Sequence, residues 1–579
     1  MARQKRTCGS SPAGRGKGSA WAGVWSARTA PAGNVLNNKT TRKPVPTRIG
    51  LHRPLRCCRA RDSQLGACYQ SASRRVKPGR AFCLALAVLG SLADGCGEAP
   101  PPPGTLVVAF DSDPDSLDPR FQTDANGARL ADLLYAGLTR ADAAGRRVPE
   151  LARTWEMADS RSFVFRLRPD FRFPDGTAVT AADVKATYDA VRDPALASPK
   201  RAALATLSAI EAPDPTTVVM RLTEPFAPFL DATGLGILPA ARAREAGDVT
   251  TGAGPFQLVS AERGDRLVLA PNPGYPDGAP RLRAVVVRIV PDELVRVLEL
   301  RRGGVHLVED APEPETVAWL ATVPSLLVRR IPGTSFVYLA LNLRDPRLAD
   351  RRVREALTLA LDREGLVRFV LGGAARPATG LLAPEHWAYA STRQPRHDPR
   401  RARRLLDLAG YRAPRPDTPR FRLVYKTSAQ PVRRRLAEAV QAELGAVGIA
   451  VDVRVYEWGT LYADVRSGNF ELASLAWVGV TDPDLYYLAF HSTMVPPAGY
   501  NRGAYVSRVT DRLTKAGRQT FEPARRRAIY ARVQRRLAHD LPVVPLWWED
   551  RVVVQPRRLH GFEPSPSGDL RGLASAWLD

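Results

Sequence analysis

Strand-like and helix-like segments alternate along the chain from residue 105 onward, and this alternation constrains the fold more than any other feature. Residues 105–110 form a short apolar run typical of a buried strand. Thr180 is typical of a helix N-cap, with Asp183 three residues later, and Asp398 precedes Pro399 as a cap precedes a first helical proline. Further apolar stripes at helical spacing cover 353–361 and 432–447, and valines alternate as a strand over 451–455. The pattern predicts an α/β architecture.

The first 95 residues differ from the rest of the chain in charge and in cysteine content. They carry 18 lysines and arginines against two acidic residues, Asp62 and Asp94. All six cysteines lie at or before position 96. The body that follows is only mildly basic, which argues against charge-driven binding of nucleic acid. A disulfide framework and a cysteine-based zinc site are excluded from the body.

Residues 81–93 form a long apolar run without charge, but they are too few to span a bilayer as a helix, which needs about 20 residues. Basic residues precede the run, and small residues before Cys96 end it, as in a secretory signal with a lipoprotein processing site. We predict a signal peptide over 76–96 with lipid attachment at Cys96. Asp94 is untypical two places before the cut, so secretion without a lipid is one alternative, and a buried core helix is another.

Residues 1–75 are rich in arginine, glycine and serine and show no periodicity. We expect this stretch not to be part of the working protein, with translation starting near Val76. A basic tail that binds nucleic acid or an acidic surface is the alternative. Residues 97–104 are rich in proline, which is typical of a stiff extended tether.

Motifs of enzyme chemistry are absent from the body. Its six histidines include no pair at metal-ligand spacing, and neither G-x-S-x-G nor G-x-G-x-x-G occurs. Carboxylates are plentiful but scattered. We therefore expect a binding protein without enzymatic activity, cofactor or metal. The aromatic residues around Trp458 and Trp477 suit the walls of a ligand cleft, although about half of the late tryptophans would simply fill core.

Several short motifs occur in an order that is typical of one family. They are 113–119 (DPDSLDP), 134–140 (LYAGLTR), 149–152 (PELA) with 155–156 (WE), 173–176 (FPDG), 252–256 (GAGPF), 352–357 (RVREAL) and 397–411 (HDP to AGY). Each is weak alone. In this order over residues 105–565 the chain resembles the extracellular solute-binding proteins of ABC importers, in the oligopeptide/dipeptide/nickel-binding branch.

The resemblance implies a two-lobed, periplasmic-binding-protein-like α/β fold that closes on its ligand at a hinge, with a small subdomain inserted. The first lobe is expected to be discontinuous and to comprise 105–148, 246–333 and 543–579. The subdomain is expected at 149–245, and the second lobe at 334–542.

The resemblance also implies ligand-binding residues. These are Trp458 and Trp477, followed by Gly479, Asp482, Tyr338, Ser112 and Asp113. Peptide-binding members place an aspartate just after GW-x-[GA] to pair with the peptide's amino group, where this chain has Val480. The dipeptide-binding branch holds the ligand carboxylate with an arginine in the segment matching 427–431, where this chain has none. Because a buried charge needs a partner, both differences argue against a zwitterionic dipeptide, and the few histidines argue against nickel.

The expected function is therefore that of the substrate-binding component of an ABC transporter. It would capture a peptide-like or other small organic solute and deliver it to a membrane permease and ATPase complex. We expect it in the periplasm or at the cell surface, attached to the membrane by its lipid, with no nucleic-acid partner. A secreted hydrolase that uses carboxylates and a chaperone-like binder of extended polypeptide are the alternatives.

Overall fold

The computed structural model describes residues 101–579, except residues 246, 310–312, 414, 416 and 417. The expected signal peptide, Cys96 and the extension before them lie outside the described residues. The described residues belong to one compact unit. None of their helices combines the length and the apolar character needed to cross a bilayer.

Eighteen strands and fourteen α-helices make up the described chain. The strands are β1 Thr105–Phe110, β2 Thr139–Ala141, β3 Arg147–Pro149, β4 Ala152–Asp159, β5 Ser162–Leu167, β6 Leu207–Asp214, β7 Thr217–Leu222, β8 Phe256–Glu262, β9 Arg266–Pro271, β10 Ala284–Ile289, β11 Leu326–Leu341, β12 Ala375–Pro377, β13 Phe421–Ser428, β14 Ile449–Tyr456, β15 Leu472–Trp477, β16 Val543–Pro556, β17 Leu559–His560 and β18 Trp577–Leu578. The helices are α1 Ala125–Leu134, α2 Ala181–Arg192, α3 Phe229–Ala232, α4 Glu293–Arg302, α5 Pro314–Leu320, α6 Pro346–Ala349, α7 Arg351–Ala360, α8 Arg363–Val370, α9 Pro399–Leu408, α10 Pro431–Gly445, α11 Trp458–Ser467, α12 Leu485–Phe490, α13 Arg508–Arg518 and α14 Pro523–Asp540. Short 3-10 helices cover Pro194–Leu196, Pro199–Leu204 and Arg571–Ser575.

Local sequence signals set the ends of several of these elements, as predicted. Thr180 and Asp183 form a reciprocal capping box at the start of α2, where the Thr180 backbone N–H donates to the Asp183 carboxylate at 2.7 Å. The Asp398 side chain accepts from the Arg401 backbone N–H, and Pro399 occupies the first turn of α9. The apolar run at 105–110 is β1, and all six of its residues are buried.

Three larger sheets organise the molecule. The first has the order β1-β10-β9-β8, with β1 parallel to β10 and the other pairs antiparallel. The second, β4-β5-β7-β6, is antiparallel and uses only residues between 152 and 222. The third, which we call the main sheet, has the order β12-β16-β11-β15-β13-β14. Its strand β13 runs parallel to both neighbours, so the sheet is mixed.

The main sheet is buried on both faces. Helices α7, α8, α9 and α10 pack on one face around Leu357 and Leu436. Helices α11 to α14 pack on the other face around Leu461 and Tyr530. Strand β11 therefore reads as a continuous apolar run at its carboxyl end, since its side chains meet a core on either side. Helices on both faces of a mixed sheet confirm the expected α/β architecture.

Strands β11 and β16 connect the first sheet with the main sheet. They pair in antiparallel register from Leu326 opposite Pro556 to Ala340 opposite Val543, with two interruptions of the register. At one end of the pair, Val554 of β16 forms a β-bridge with Val308. The preceding residue, Leu307, forms a β-bridge with Val108 of β1. Two strands that pass between two sheets are suited to act as a hinge. The lobe and subdomain limits given above stay predictions.

Candidate ligand-binding cleft

A cavity of about 650 Å³ lies where segments distant in sequence meet. The loop after β15 contributes Val478, Gly479 and Thr481, and it faces residues between 123 and 147, residues 231–235 and residues 567–571. We call this cavity the cleft. Its volume lies within the range of roughly 300–1,000 Å³ that small-molecule sites occupy. Of the seven ligand-binding residues implied by the resemblance, Gly479 is the one that lines the cleft.

One hydrogen bond closes part of the cleft from side to side. The Thr481 hydroxyl donates to the carboxylate of Asp231 on α3, with oxygen–oxygen distances of 3.0 and 3.2 Å. The same carboxylate lies 3.5 Å from Nη1 of Arg147. Arg147 is itself fixed, because its Nε donates to the Thr139 hydroxyl at 2.9 Å and its Nη2 donates to the Thr139 carbonyl at 2.6 Å. The loop after β15 is therefore held against the opposite wall by a short polar chain.

Charged side chains dominate the rest of the cleft lining. The basic members are Arg129, Arg140, Arg147, Lys200, Arg551 and Arg571, and the acidic members are Asp124, Asp132, Asp231 and Asp569. The charge of Arg571 is balanced within the protein, because it donates to Asp132 at 2.7 Å and to the buried carboxylate of Glu150. Burial lowers the pKa of Lys200 to about 8, with the carboxylates of Asp118, Asp115 and Asp132 acting in the opposite direction.

Arg551 reaches the cleft from β16 and lies directly over Gly568. A Cβ atom at position 568 would stand 1.3 Å from Nη2 of Arg551, and Gly568 has a φ of +80°. The nearest carboxylate oxygen belongs to the buried Glu309, 3.7 Å from Nη2, which is beyond hydrogen-bonding distance. Nε and Nη2 of Arg551 thus have no hydrogen-bond partner among the described residues. The sequence gives no hint of this arrangement.

Trp477 and Tyr338 lie together in a second, small pocket of about 20 Å³ on the main sheet. They come from neighbouring strands, since β11 and β15 pair. Burial raises the pKa of Tyr338, so its phenol stays protonated and its oxygen accepts from Nη1 of Arg502 at 3.1 Å. The guanidinium of Arg502 lies 4.9 Å from the ring centroid of Trp477, and Tyr500 packs edge-on against the same indole at 5.4 Å.

Trp458 joins this group through Tyr462. The two side chains stack one turn apart on α11 with their ring centroids 5.6 Å apart. The Tyr462 hydroxyl accepts from Nη2 of Arg502 at 3.4 Å, and its ring lies 5.4 Å from the guanidinium. Trp458 is 53% exposed. We call the four aromatic residues around the Arg502 guanidinium, Tyr338, Tyr462, Trp477 and Tyr500, the Arg502 cage.

Asp482 occupies a different environment from the two tryptophans. Its carboxylate accepts two hydrogen bonds from the buried guanidinium of Arg526, each at 2.7 Å. It also accepts from the Asp484 backbone N–H at 2.7 Å. The ligand-binding role implied by the resemblance stays a prediction, but both carboxylate oxygens are already engaged within the protein.

Ser112 and Asp113 lie in the exposed turn after β1, and neither belongs to the side chains that line the cleft. The Ser112 hydroxyl donates to Asp111 at 3.1 Å, and its carbonyl accepts from Asn126 at 3.0 Å. The Asp113 carboxylate accepts from the Gly264 backbone N–H at 2.8 Å. Their part in ligand binding stays a prediction as well.

Among the described residues, no group of three or more histidine, cysteine, aspartate or glutamate side chains has a geometry that would hold a metal ion. Cys96 lies outside the described part of the chain. The candidate side chains that the sequence missed are arginines and a lysine, above all Arg502, Arg551 and Lys200. Their partners lie far away along the chain, which leaves no local pattern to detect.

Comparison with known proteins places this geometry in a wider context. A model of the bacterial extracellular solute-binding proteins, family 5, matches residues 146–495. Di/tripeptide-binding protein 2 of Pseudomonas aeruginosa (strain UCBPP-PA14) is 29% identical over 527 residues, which cover 85% of this chain and 98% of that protein.

Two solved structures share the fold. The oligopeptide-binding protein AppA of Bacillus subtilis, in complex with a nonapeptide, superposes with a TM-score of 0.70 at 25% identity, over 83% of this chain and 100% of that chain. The PBP AgaA in complex with agropinic acid, from A. tumefaciens R10, gives 0.66 at 26% identity, over 82% and 99%. These matches confirm the expected resemblance and the two-lobed α/β fold. The chain belongs to the bacterial extracellular solute-binding proteins of family 5.

Proposed function

We propose that this protein captures a peptide-like or other small organic solute in the cleft and delivers it to the permease and ATPase complex of an ABC importer. The observation that carries the proposal is the cleft itself. It is about 650 Å³ in volume, and segments separated by hundreds of residues line it. The loop after β15 faces α3 across this space.

The relatives support a peptide-like ligand. One is named for di- and tripeptides, and a structural neighbour holds a nonapeptide. Another neighbour holds agropinic acid, which widens the range to other small organic solutes. We propose that the solute is bound and released unchanged, since family members are solute-binding proteins of transport systems.

The paired strands β11 and β16 support a hinge mechanism. They are the long connection between the first sheet and the main sheet, and the cleft lining draws on residues from both sides of them. A solute that contacts both sides binds the closed form more tightly and shifts the population toward it. In this proposal the lobes and the subdomain have the limits expected from the sequence.

The proposal is tested by thermal unfolding and calorimetry of the purified protein with a panel of di-, tri- and nonapeptides, followed by mass spectrometry of the recovered solute. We expect one solute per protein, recovered unchanged. A concentration of 100 times the Kd should stabilise the folded state by about 2.7 kcal/mol. Solute that is cleaved during incubation would favour the secreted hydrolase, and binding of unfolded chains without defined stoichiometry would favour the chaperone-like binder.

We further propose that the protein is exported and attached to the membrane surface by a lipid on Cys96. The apolar run at 81–93 and the small residues before Cys96 support this proposal. Labelling of expressing cells with radioactive palmitate should mark the unaltered protein and leave Cys96→Ser unmarked. Equal labelling of both proteins would contradict lipid attachment at this residue.

A further inference from the structure

Arg502 is a buried cation for which the described residues supply no carboxylate partner. It lies in the segment between α12 and α13, and 9% of its surface is exposed. Its guanidinium donates to the phenol oxygens of Tyr338 and Tyr462, which are neutral groups. No carboxylate of the described residues lies within ion-pairing distance of it. An isolated charge is expensive to remove from water, so a partner is expected from elsewhere.

The Arg502 cage compensates this cost in part. The ring centroids of Trp477, Tyr462 and Tyr500 lie 4.9, 5.4 and 5.6 Å from the guanidinium carbon. Aromatic faces attract a cation through their quadrupoles, and they hold the planar group in one orientation. They do not cancel its charge. The cage therefore presents a fixed, desolvated guanidinium with donors to spare.

Two carboxylates on the chain segments that carry cage residues are already engaged. Asp482, five residues after Trp477, is bound by Arg526. Asp464, on the same helix as Tyr462, accepts from the buried Lys426 ammonium at 2.7 Å. If Asp482 or Asp464 moved to Arg502, its present partner, Arg526 or Lys426, would become a buried cation without a counter-charge. Neither carboxylate is therefore available to Arg502.

The cage is joined to the cleft by an apolar segment of the chain. Trp477 is followed directly by Val478 and Gly479, which line the cleft, and Val478 is 60% exposed. Tyr500 is 43% exposed, and Trp458 also presents an exposed ring. A solute that extends from the cleft past Val478 would meet an aromatic and aliphatic surface beside the Arg502 guanidinium.

We propose that Arg502 binds a carboxylate of the solute, and that the solutes of this protein form the class of carboxylate-bearing, peptide-like molecules with an apolar group for the rim of the cage. The carboxylate would dock by the planar fork geometry that guanidinium groups favour. The free amine of a peptide is not needed at this wall. This inference rests on the proposed function and specifies the ligand class for the same site.

Calorimetry on the full protein with three matched compounds tests the inference. N-acetyl-alanyl-phenylalanine has a terminal carboxylate and no amine, whereas alanyl-phenylalanine amide has the amine and no carboxylate. N-acetyl-alanyl-glutamic acid α-amide carries its carboxylate on the side chain alone. We expect at least one acetylated compound to bind 100-fold or more tightly than the amine-bearing amide, and the better of the two identifies whether the carboxylate is terminal or on a side chain.

Variants then locate the effect at Arg502. Arg502→Gln should remove the preference for carboxylate-bearing compounds, and Arg502→Lys should keep the preference with about tenfold weaker binding, because the charge remains without the fork. Arg466→Gln is the matched control. Arg466 also lies over the Tyr462 ring, at 5.9 Å, but it is exposed. This control should bind all three compounds as the unaltered protein does.

The outcomes separate this inference from the proposed function. Equal binding of the amine-bearing amide, or full preference retained in a folded Arg502→Gln, overturns the inference while solute capture stands. If no peptide of the earlier panel binds in any form, the proposed function fails instead. If Arg502→Gln does not fold, the three compounds on the unaltered protein and on Arg502→Lys still decide, since a missing carboxylate preference overturns the inference by itself.

Discussion

Two buried arginines on the same side of the main sheet differ in how the protein compensates their charge. Arg526 on α14 is 6% exposed and lies over the rings of Trp387 and Tyr530, at 5.6 and 5.5 Å. Arg502 is almost as buried and also lies among aromatic rings. The difference is that Arg526 has a bidentate carboxylate partner, Asp482, whereas Arg502 has none in the part of the chain that the structure describes.

The comparison suggests a simple criterion for separating structural cations from binding cations in this fold. A guanidinium with a bidentate internal carboxylate has its charge balanced before any solute arrives. A guanidinium held by phenols and ring faces has its position fixed but its charge unbalanced. The first arrangement stabilises the fold, and the second stores part of its favourable interaction for a ligand.

The largest expected effect comes from removing the carboxylate partner of Arg526, so that Arg526 becomes unpaired like Arg502. Asp482→Asn removes the carboxylate and leaves a buried guanidinium uncompensated, which should lower the free energy of unfolding by about 3–5 kcal/mol. Urea unfolding at pH 7.5 measures the change. The matched control is Glu211→Gln. Glu211 pairs with Arg221 at 2.9 Å, but both side chains are about half exposed, so a loss within about 1 kcal/mol is expected.

A small effect of Asp482→Asn on stability would contradict the comparison. If stability changed by less than 1 kcal/mol while solute binding fell strongly, Asp482 would bind the solute and Arg526 would hold Asp482 in place. Both measurements are therefore made on the same preparation.

The second prediction concerns Asp484, which lies two residues from Asp482 in the same cluster. Burial raises the pKa of Asp484 to about 6, with the Arg518 guanidinium acting in the opposite direction. In the unfolded chain an aspartate titrates near 3.9. Between about pH 4 and pH 6 the folded state therefore binds the proton more tightly, and this contribution to stability is lost as the pH rises through 6.

We compare the free energies of unfolding of Asp484→Asn and the unaltered protein, measured with urea from pH 4 to pH 7.5. The difference between them should shift in favour of the variant by roughly 2 kcal/mol over this range. Asp170→Asn is a control of opposite sign. A hydrogen bond from Arg168 lowers the pKa of Asp170, so its stabilising contribution is present at neutral pH and is lost on acidification. If the stability of Asp484→Asn and of the unaltered protein depended on pH in the same way, the pKa of Asp484 would not be raised in the folded state.

The third prediction concerns Trp477. Trp477→Ala removes one wall of the Arg502 cage and part of its apolar rim, while the strand that carries it stays paired on β11. Calorimetry with N-acetyl-alanyl-phenylalanine should show at least tenfold weaker binding, about 1.4 kcal/mol, in a protein that stays folded. Trp319→Ala, at an exposed ring on α5, should leave binding unchanged. Unchanged affinity in Trp477→Ala would count against the site.

Much of the fold could be predicted from the sequence because its signals are local. The capping box at Thr180 and the proline after Asp398 act within four residues, and each appears in the structure as predicted. The order of short motifs was enough to identify the family, which the match over 146–495 confirms. Both kinds of signal are read along the chain without knowing which segments meet in space.

The proposed binding wall was only partly predictable, because its contacts are not local in sequence. Trp458 and Trp477 stood out by their motifs, and the structure connects both to Arg502 through Tyr462 and by direct contact. Arg502 itself did not stand out, since one arginine among many has no distinctive local pattern. Its partner Tyr338 lies 164 positions away. Whether a charge is balanced depends on contacts of this range.

The last and smallest expected effect comes from making Arg502 resemble Arg526. Tyr500→Glu places a carboxylate at the rim of the cage, next to the guanidinium that Tyr500 now covers at 5.6 Å. The introduced carboxylate should compete with that of the solute and weaken binding of N-acetyl-alanyl-phenylalanine about tenfold. Tyr500→Gln is the matched control, because glutamine has nearly the same shape as glutamate but carries no charge.

The difference between the two Tyr500 variants isolates the charge from the lost ring. If both weakened binding equally, the ring of Tyr500 would matter and the charge of Arg502 would not. If only Tyr500→Glu weakened binding, the unbalanced guanidinium would be the feature that selects the solute. The introduced carboxylate would then pair with Arg502 as Asp482 pairs with Arg526. Arg502 would no longer be available to bind the carboxylate of a solute.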